Sequence, residues 1–592
     1  MCGVVGVIGN VDTRKYLIDG LKSLDYRGYD SAGVTFLNEK NDFLTFKVVG
    51  KVDLLDKDVP SQVNALLGIG HTRWATHGAP TLTNCHPHFS SHKLFSIVHN
   101  GVIENYRVLK TKLIELGYTF ESETDTEVIA NLIEYNYKKN HDVLDALRMS
   151  IEELKGSFAS AIIFKNDLEG IYFIKRNSPL FIGDGEKAKF LASDAGPIIP
   201  YTTKLISLED NSYGYLTASS IHIYKGYDAQ EIKYANIDVE LMNRDLGDYP
   251  NYMLKEIEET PRVISRLIDN YFDGNKFLFN RKMLDAIKRA DDIIFLACGT
   301  SYHAALLGVK NMQYLGKRSE AYIASEWAYY PVFTSKKPLY ILISQSGETA
   351  DLIRCQKIIN ARGSINIAIT NTKGSTIERD ATYSCLIFAG VEVAVASTKA
   401  FSAQVSLLTL LTAAIENKNN IVEHLRSLNL TLEDMIERKN EIEKISECIK
   451  DSNMIFFIGR GSDYIASLEA SLKMKEISYL HCDAFPGGEL KHGPIAVVDK
   501  NTSLICFDSD MSTDLPIRNN VKEIESRGAK SYVISFASLY KNGDAFSIKD
   551  AKSHLSAIPM VFFSQYLAYF VALHKGVDID KPRNLAKSVT VE

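Results

Sequence analysis

The rhythm of apolar and polar positions changes part-way along the chain. The N-terminal portion reads as short strands. Val4, Val5, Val7 and Ile8 form a continuous apolar run suited to a buried strand, and Val34 to Phe36 predict a second. Residues 201–245 continue as short alternating strands, as in Ser220-Ile221-His222-Ile223-Tyr224. Asp248-Tyr249-Pro250-Asn251-Tyr252 breaks this pattern, and Met253-Leu254-Lys255-Glu256-Ile257 opens a charged helix. With no Gly/Ser-rich tether at the break, the two halves are expected to pack at a defined angle. Beyond it, apolar strands alternate with helical stretches, which predicts βαβ units and parallel sheets.

The second half repeats itself. Asp292-Ile293-Ile294-Phe295-Leu296-Ala297-Cys298-Gly299-Thr300-Ser301 parallels Asn453-Met454-Ile455-Phe456-Phe457-Ile458-Gly459-Arg460-Gly461-Ser462. Each is an apolar strand, a glycine-containing turn and the start of a helix. A glutamate-bearing loop follows each copy, Ser325-Glu326 and Gly488-Glu489, and then a third apolar strand, Leu339 to Ile343 and Ser503 to Phe507. Two nested, doubly wound α/β domains are expected, over 280–415 and 440–580. The longest apolar run, Ile558 to Leu573, falls short of the ~20 residues a membrane span needs and contains Pro559, Ser564 and Gln565. It predicts a buried helix with proline in its first turn.

The totals narrow the class. At 592 residues the chain exceeds one core, and three domains are expected. A composition of 45% apolar and 24% charged residues with net charge −6 is that of a soluble globular protein, and it lacks the basic balance a nucleic-acid partner favours. The eight cysteines are scattered with no CxxC spacing, so reduced thiols are expected instead of a disulfide framework. The N-terminus lacks the layout of a signal peptide. A cytoplasmic location without membrane or nucleic-acid partners is the expectation.

Candidate chemistry begins at Met1-Cys2-Gly3-Val4-Val5-Gly6. Removal of Met1 leaves Cys2 with a thiol beside a free α-amine, a base of pKa roughly 7.7–8.0 that can take the thiol proton. The competing reading is a cysteine that merely falls at position two. The stretch 71–99 carries six of the fourteen histidines, and Cys85-His86-Pro87-His88 invites a metal reading. Its spacing straddles a proline and no second cluster follows, so hydrogen-bonding loop histidines are favoured and no metal is expected. In Ile341-Leu342-Ile343-Ser344-Gln345-Ser346-Gly347-Glu348-Thr349-Ala350-Asp351 a strand ends in hydroxyl residues and glycine and a helix starts at once, which makes an anion site. The Gly-Lys-Ser/Thr of a nucleotide-binding P-loop is absent, and neither first turn carries GxGxxG, so a sugar phosphate fits better than a nucleotide. The plain alternative is a serine N-cap with no ligand.

Cys2-Gly3-Val4-Val5-Gly6, Tyr26-Arg27-Gly28-Tyr29-Asp30-Ser31-Ala32-Gly33, His71-Thr72-Arg73-Trp74-Ala75-Thr76-His77-Gly78, His99-Asn100-Gly101 and Thr124-Asp125-Thr126-Glu127 appear together and in order. This set resembles the class II, N-terminal-nucleophile glutamine amidotransferase domain. The resemblance implies a four-layered αββα sandwich over 2–220 that hydrolyses glutamine to glutamate and ammonia. Cys2 would be the nucleophile, and Asn100 with the Gly101 N–H the oxyanion hole. Arg73 would hold the substrate carboxylate and Asp125 its ammonium, while Trp74, Thr76 and His77 line or gate the pocket. Trp74 reads equally well as core.

The anion turn, Glu392-Val393-Ala394-Val395-Ala396-Ser397-Thr398-Lys399, Leu472-Lys473-Met474-Lys475-Glu476 and Gly488-Glu489-Leu490-Lys491-His492-Gly493-Pro494 resemble tandem sugar-isomerase (SIS) domains. With the tail Pro582-Arg583-Asn584-Leu585-Ala586-Lys587-Ser588, the whole chain resembles the glutamine–fructose-6-phosphate aminotransferase (isomerizing), or glucosamine-6-phosphate synthase, family. Two departures are the first-copy loop, Ser325-Glu326-Trp327-Ala328-Tyr329-Tyr330, and Phe485-Pro486-Gly487 before Gly488; both touch pocket walls. The resemblance implies formation of glucosamine 6-phosphate and glutamate, the first step of hexosamine synthesis, without a cofactor. Ser344, Gln345, Ser346 and Thr349 would bind the phosphate, and Thr300, Ser301, Val395, Ser397 and Ala586 the sugar.

In the same family reading Lys587 forms an imine with C2 of the open-chain ketose, which requires a free amine. His492 assists ring opening, Glu476 moves a proton from C1 to C2, and Lys473 handles the O1 proton. A homodimer with His492 supplied across its interface is also implied, as is a shielded ammonia channel. Residues 221–279 would be linker and connecting helices, and 581–592 a catalytic tail anchored by Leu585, Ala586, Val589 and Val591. Without the resemblance, Lys473 and Glu476 read as a surface ion pair. A glutaminase serving a phosphoribosyl acceptor would need an acidic diphosphate-binding motif, which is missing, and a non-enzymatic sugar-phosphate sensor would have no use for Cys2, Glu476 or Lys587.

Overall fold

The computed structural model describes residues 2–25, 28–74, 78–234, 245–333 and 336–589. Thr76, His77 and Val591, with Tyr26 and Arg27 of the second motif, lie outside the described residues.

Strand Gly3–Gly9 is buried along its whole length, and the alternation of its side chains explains why no polar position interrupts it. Val5 and Val7 point outward against helix Thr13–Leu24, joining Tyr16, Leu17 and Leu21 in one core. Val4 and Ile8 point the other way and meet Val98, Ala159 and Phe173 of a second sheet. That second sheet packs its outer face against helices Thr126–Asn140 and Val143–Glu153 through Phe95, Ile97, Ile129 and Leu147. The result is helix, sheet, sheet, helix, the αββα sandwich expected. Both sheets are antiparallel and each shows seven strands among the described residues. In the first, Gly3–Gly9 lies between Ala188–Ala192 and Leu67–Arg73; in the second, Phe95–Ile103 lies between His88–Phe89 and Gly156–Phe164.

An end to this domain at 220 cuts through the second sheet. Strand Ile221–Lys225 pairs antiparallel with Ser212–Leu216, and Asp228–Ala229 adds one more short strand. Ile221 and Ile223 are buried in the inter-sheet core, which is what holds this strand to the sandwich.

The two halves of the repeat fold alike. Each contains a five-stranded parallel sheet with the same strand order. In the first copy Asp292–Ala297 and Pro338–Ser344 lie side by side, and in the second Met454–Gly459 and Thr502–Asp508 do. One continuous core joins them, running from Met253 to Ile579, so the two copies are not independently packed units. The helices Tyr252–Glu258 and Thr260–Tyr271, expected as connectors, contribute Met253, Ile257, Ile264 and Leu267 to it. Helix Ala557–His574 carries Pro559 near its start and is the one described helix apolar enough to cross a membrane, yet its apolar window is entirely inside this core.

Contacts fix the halves to one another. Lys581 Nζ lies 2.6 Å from Asp25 Oδ2, the Tyr29 hydroxyl donates to the Pro582 carbonyl at 3.2 Å, and Lys357 Nζ reaches Asn177 Oδ1 at 3.2 Å.

Candidate active site

Two constellations form, one in the sandwich and one where the SIS copies meet the tail. In the sandwich, pairing of Gly3 with Thr72 sets Cys2 beside the end of strand Leu67–Arg73. The Cys2 thiol accepts the Trp74 N–H at 3.2 Å. Burial pushes this thiol up from its ordinary pKa, and the nearby Arg73 charge opposes that only in part. Arg73 is buried and donates to the carbonyls of Gly78 at 2.9 Å and Ala79 at 3.3 Å. Asn100 comes from the facing sheet and donates its side-chain N–H to the Cys2 carbonyl at 2.8 Å. Gly101 has φ +132°, and a Cβ there would stand 2.0 Å from the Ser157 carbonyl oxygen, so only glycine fits beside Asn100. Asp125 caps helix Thr126–Asn140 and accepts the Ile103 N–H at 2.7 Å. Cys2, Arg73, Asn100 and Asp125 are thus drawn from three strands and a helix start. Trp74 is half-buried with its ring edge-on to Tyr29 at 5.7 Å, a wall position and not core.

His86 is a hydrogen-bonding loop histidine as expected, while His71, His88 and His99 stand on strands. His71, His86, His88 and His99 are buried between sheet and helix, and their ring nitrogens meet threonine hydroxyls or a backbone carbonyl. No group of three or more His, Cys, Asp or Glu side chains suited to a metal occurs among the described residues.

In the first SIS copy, strand Pro338–Ser344 delivers the anion turn. Ser344 Oγ accepts the Gly347 N–H at 3.0 Å and lies 2.9 Å from Thr349 Oγ1, and Ser346 Oγ accepts the Glu348 N–H at 3.2 Å. Gly347 has φ +66°, and an added Cβ would lie 2.0 Å from Ser375 Oγ, so the turn depends on glycine. The Gln345 carbonyl accepts the Asn371 N–H at 3.1 Å, which ties the turn to the neighbouring strand end. The turn leads directly into helix Ala350–Ala361.

The reacting groups come from elsewhere. Lys473 and Glu476 stand on helix Ser462–Ser478 of the second copy, 2.6 Å apart, with Lys473 wholly buried. This corrects the surface-pair reading: the helix face that carries them is covered by the first copy. Thr300 Oγ1 accepts from Lys473 Nζ at 3.0 Å and donates to Glu469 Oε1 at 3.0 Å, while His303 Nδ1 lies 2.6 Å from Glu469 Oε2. Burial alone would lower the Lys473 ammonium, but the Glu469 and Glu476 charges outweigh it and raise it. Burial raises the Glu476 carboxyl above the ordinary range, with Lys473 pulling the other way. Ser301 Oγ accepts from Gln404 Nε2 at 3.0 Å, which orients it at the start of the same helix as Thr300.

The Lys587 side chain is turned inward and only 4% exposed. Its amine lies 2.5 Å from Glu392 Oε2, and the Ser397 hydroxyl donates to the same oxygen at 2.8 Å. Glu392 is fully buried; burial pushes its carboxyl up, yet the Lys587 charge and the backbone N–H groups of Thr398 and Ala400 bring it down to about 2. The tail is pinned by backbone bonds: Val395 N–H to the Asp580 carbonyl at 2.9 Å and Ala350 N–H to the Val589 carbonyl at 3.1 Å. Val589 itself is exposed, so its carbonyl and not its side chain anchors the end. Leu585 and Ala586 are half-buried. His492 ends the short helix Gly487–His492 with its side chain exposed, and no bond ties it to the cluster among the described residues.

Glu469, Glu392, His303 and Glu256 complete the cluster with no individual role readable from the sequence. Glu469 lies four residues before Lys473, so helical spacing alone puts it on the same face. Glu392, His303 and Glu256 carried no such signal. Glu256 is buried on helix Tyr252–Glu258 and accepts the N–H groups of Val393 and, at 3.2 Å, Ala394; burial and Glu392 raise its carboxyl to about 8.

Comparison with known proteins agrees with this division. Residues 75–199 match the glutamine amidotransferase domain, and residues 286–414 and 448–575 each match the SIS domain. The chain is 43% identical over 603 aligned positions to the glutamine–fructose-6-phosphate aminotransferase [isomerizing] of Geobacillus kaustophilus, and 41% identical to that of Bacillus subtilis, with 100% of each chain covered in both cases. This chain belongs to the glutamine–fructose-6-phosphate aminotransferase (isomerizing) family. The C-terminal domain of the Francisella tularensis glucosamine-fructose-6-phosphate aminotransferase superposes with TM-score 0.54 at 30% identity, covering 57% of this chain and 100% of that one.

Proposed function

We propose that this protein transfers the amide nitrogen of L-glutamine to D-fructose 6-phosphate and isomerises the product, giving D-glucosamine 6-phosphate and L-glutamate. The observation that carries this reading is the burial of the Lys587 amine against Glu392, near enough to the Lys473–Glu476 pair for its charge to act on Glu476. Two buried amine–carboxylate pairs from different elements are costly to hold for stability alone.

In the sandwich, the Cys2 thiolate attacks the glutamine carboxamide. Arg73 and Asp125 hold the amino-acid end, and Asn100 with the Gly101 N–H stabilises the oxyanion. In the SIS half, Ser344, Gln345, Ser346 and Thr349 hold the phosphate, and Thr300, Ser301, Val395, Ser397 and Ala586 the sugar. Lys587 attacks C2 as the free amine, and the Glu392 carboxylate beside it holds the amine in place. Once ammonia has displaced Lys587, Glu476 carries a proton from C1 to C2; a carboxyl raised by burial suits a group that must both accept and donate. Lys473 serves O1. Thr76 and His77 belong with Trp74 as glutamine-pocket residues.

The exposure of His492 supports a homodimer in which the partner chain completes the sugar site. We infer a cytoplasmic enzyme built as 2–229, 252–415, 440–580 and the tail. The test is amide-¹⁵N-glutamine with fructose 6-phosphate: labelled glucosamine 6-phosphate is expected. Labelled ammonia without amino sugar would leave a glutaminase and remove the transfer reading.

A further inference from the structure

Behind the glutamine-site residues lies a chain of buried neutral side chains that the reaction itself does not use. His71 Nε2 lies 2.9 Å from the His99 carbonyl, bridging the two sheets of the sandwich one residue before Asn100. His99 Nδ1 lies 2.9 Å from Thr126 Oγ1, and Thr126 Oγ1 lies 3.1 Å from His86 Nε2. His86 Nδ1 accepts the backbone N–H of His99 at 3.4 Å, closing a ring. The His71 and His86 rings lie 3.9 Å apart between centroids, tilted by 40°.

The relay runs in one direction. Because His86 Nδ1 accepts, its proton sits on Nε2 and is donated to Thr126 Oγ1. The Thr126 hydroxyl then donates to His99 Nδ1, so His99 carries its own proton on Nε2. His71 Nε2 faces a carbonyl and must carry a proton. A protonated imidazole at His86 would set its Nδ1–H against the His99 backbone N–H. The surroundings oppose protonation: burial is the largest influence on all four rings, bringing His71 to about 3 and His86 and His88 well below the ordinary value. Arg73 adds to this at His71, His86 and His88, and Lys47 at His88, while Asp125 pulls His99 the other way without overcoming burial.

The ring is fastened to the two groups whose placement matters most. His99 precedes Asn100 on strand Phe95–Ile103, and Thr126 follows Asp125 at the head of helix Thr126–Asn140. Asp125 in turn accepts the Ile103 N–H from that same strand at 2.7 Å. We propose that Thr126 and His86 are positioning residues for glutamine hydrolysis: their hydroxyl–imidazole relay through His99 sets the spacing between the oxyanion donor Asn100 and the ammonium-binding Asp125. This rests on the reading of the sandwich as a glutaminase.

The full-length protein with Thr126→Val removes the relay hydroxyl at nearly constant volume. The expected result is a fall of roughly 10–100-fold in kcat/KM for glutamine hydrolysis, the scale of a small misplacement. It should be shared between a lower kcat from Asn100 and a higher KM from Asp125, and Thr126→Ser should restore both. A merely structural threonine would change thermal stability and leave kcat and KM as they were; that result, or no rescue by Thr126→Ser, overturns the proposal. Where Thr126→Val does not fold, ¹⁵N NMR of imidazole-labelled wild type decides. Nε2–H tautomers at His86 and His99 are expected, and an Nδ1–H tautomer at either removes the relay. Wild type that releases no ammonia from glutamine refutes the functional reading before any variant is made, whereas hydrolysis of equal rate in wild type and Thr126→Val refutes only the positioning role.

Discussion

The two copies of the SIS fold can be laid over one another turn for turn, and the turns do different things. In the first copy strand Pro338–Ser344 ends in hydroxyls and backbone N–H groups with Glu348 turned inward, where its carboxylate accepts the Thr376 N–H at 2.8 Å. In the second, strand Thr502–Asp508 ends in Asp508-Ser509-Asp510, and its turn is filled with carboxylates. Arg518 answers three of them, Asp508 at 3.0 Å, Asp514 at 2.5 Å and Asp544 at 2.7 Å. One guanidinium shared three ways cannot satisfy the most buried member. Burial and the neighbouring Asp514 raise Asp508 to about 7 despite the contact. Such a turn repels a phosphate. What the second copy offers instead is the helix after its first strand, which carries Glu469, Lys473 and Glu476 against Thr300 of the first copy. The two frames share one strand order; one carries the hydroxyl-rich turn and the other the helix with the buried lysine and glutamates.

The sharpest way to break this division is at the tail that closes on both copies. Lys587→Arg preserves an ion pair with Glu392 but cannot form an imine, so amino-sugar formation should vanish while glutamine hydrolysis persists. Borohydride with fructose 6-phosphate should trap an adduct on Lys587 by peptide mapping; an adduct on a different lysine, or full synthase activity in the arginine variant, removes it from the mechanism.

Next in size is the second-copy helix. Glu476→Gln keeps shape and takes away the proton carrier, and the isomerisation rate should drop about 10²–10⁴-fold, the usual worth of a positioned acid or base. Binding of fructose 6-phosphate, measured by calorimetry, should survive. Loss of binding with unchanged turnover per bound sugar would reassign Glu476 to recognition.

The first-copy turn comes third. Ser346→Val with Thr349→Val removes two hydrogen bonds to a charged phosphate, each worth about 1.5–3 kcal/mol. KM for fructose 6-phosphate should rise well over tenfold, with sugar-free glutaminase activity unaltered. An unchanged KM would move the phosphate away from this turn.

The smallest effect is expected in the mirror-image turn. Asp508→Asn should leave the KM for fructose 6-phosphate within about twofold of wild type, since a single hydrogen bond to a charged group is worth more than that. Its signature lies in stability. An acid whose folded pKa exceeds its unfolded one keeps its proton longer in the native state, so its contribution is lost as pH rises. Wild type should lose stability between pH 3.8 and about 7 on this account, and Asp508→Asn should lack that slope in thermal melts across the same window. A large rise in sugar KM would mean that both turns serve the substrate.

Sequence alone determined the rhythm of this protein and hence its layers. The continuous apolar run at Val4–Ile8, the repeated strand–glycine–helix starts at 292 and 453, and the glycine at 347 each follow from local geometry: a period, a turn, a positive φ. The motif residues Cys2, Arg73, Asn100 and Asp125 were legible because they recur in a set order, and they do converge. Tertiary structure decided what a period cannot express, namely which surface covers which. Lys473 and Glu476 share a helical face in either reading, and only the arrival of the first copy makes that face interior. Strand Ile221–Lys225 belongs to the sandwich because a neighbouring strand offers it an edge. Lys587 meets Glu392 across nearly two hundred residues, and the four histidines form one network because two sheets and a helix close over them. Burial and charge pairing are properties of the assembled surfaces, and those surfaces exist only once the chain has folded.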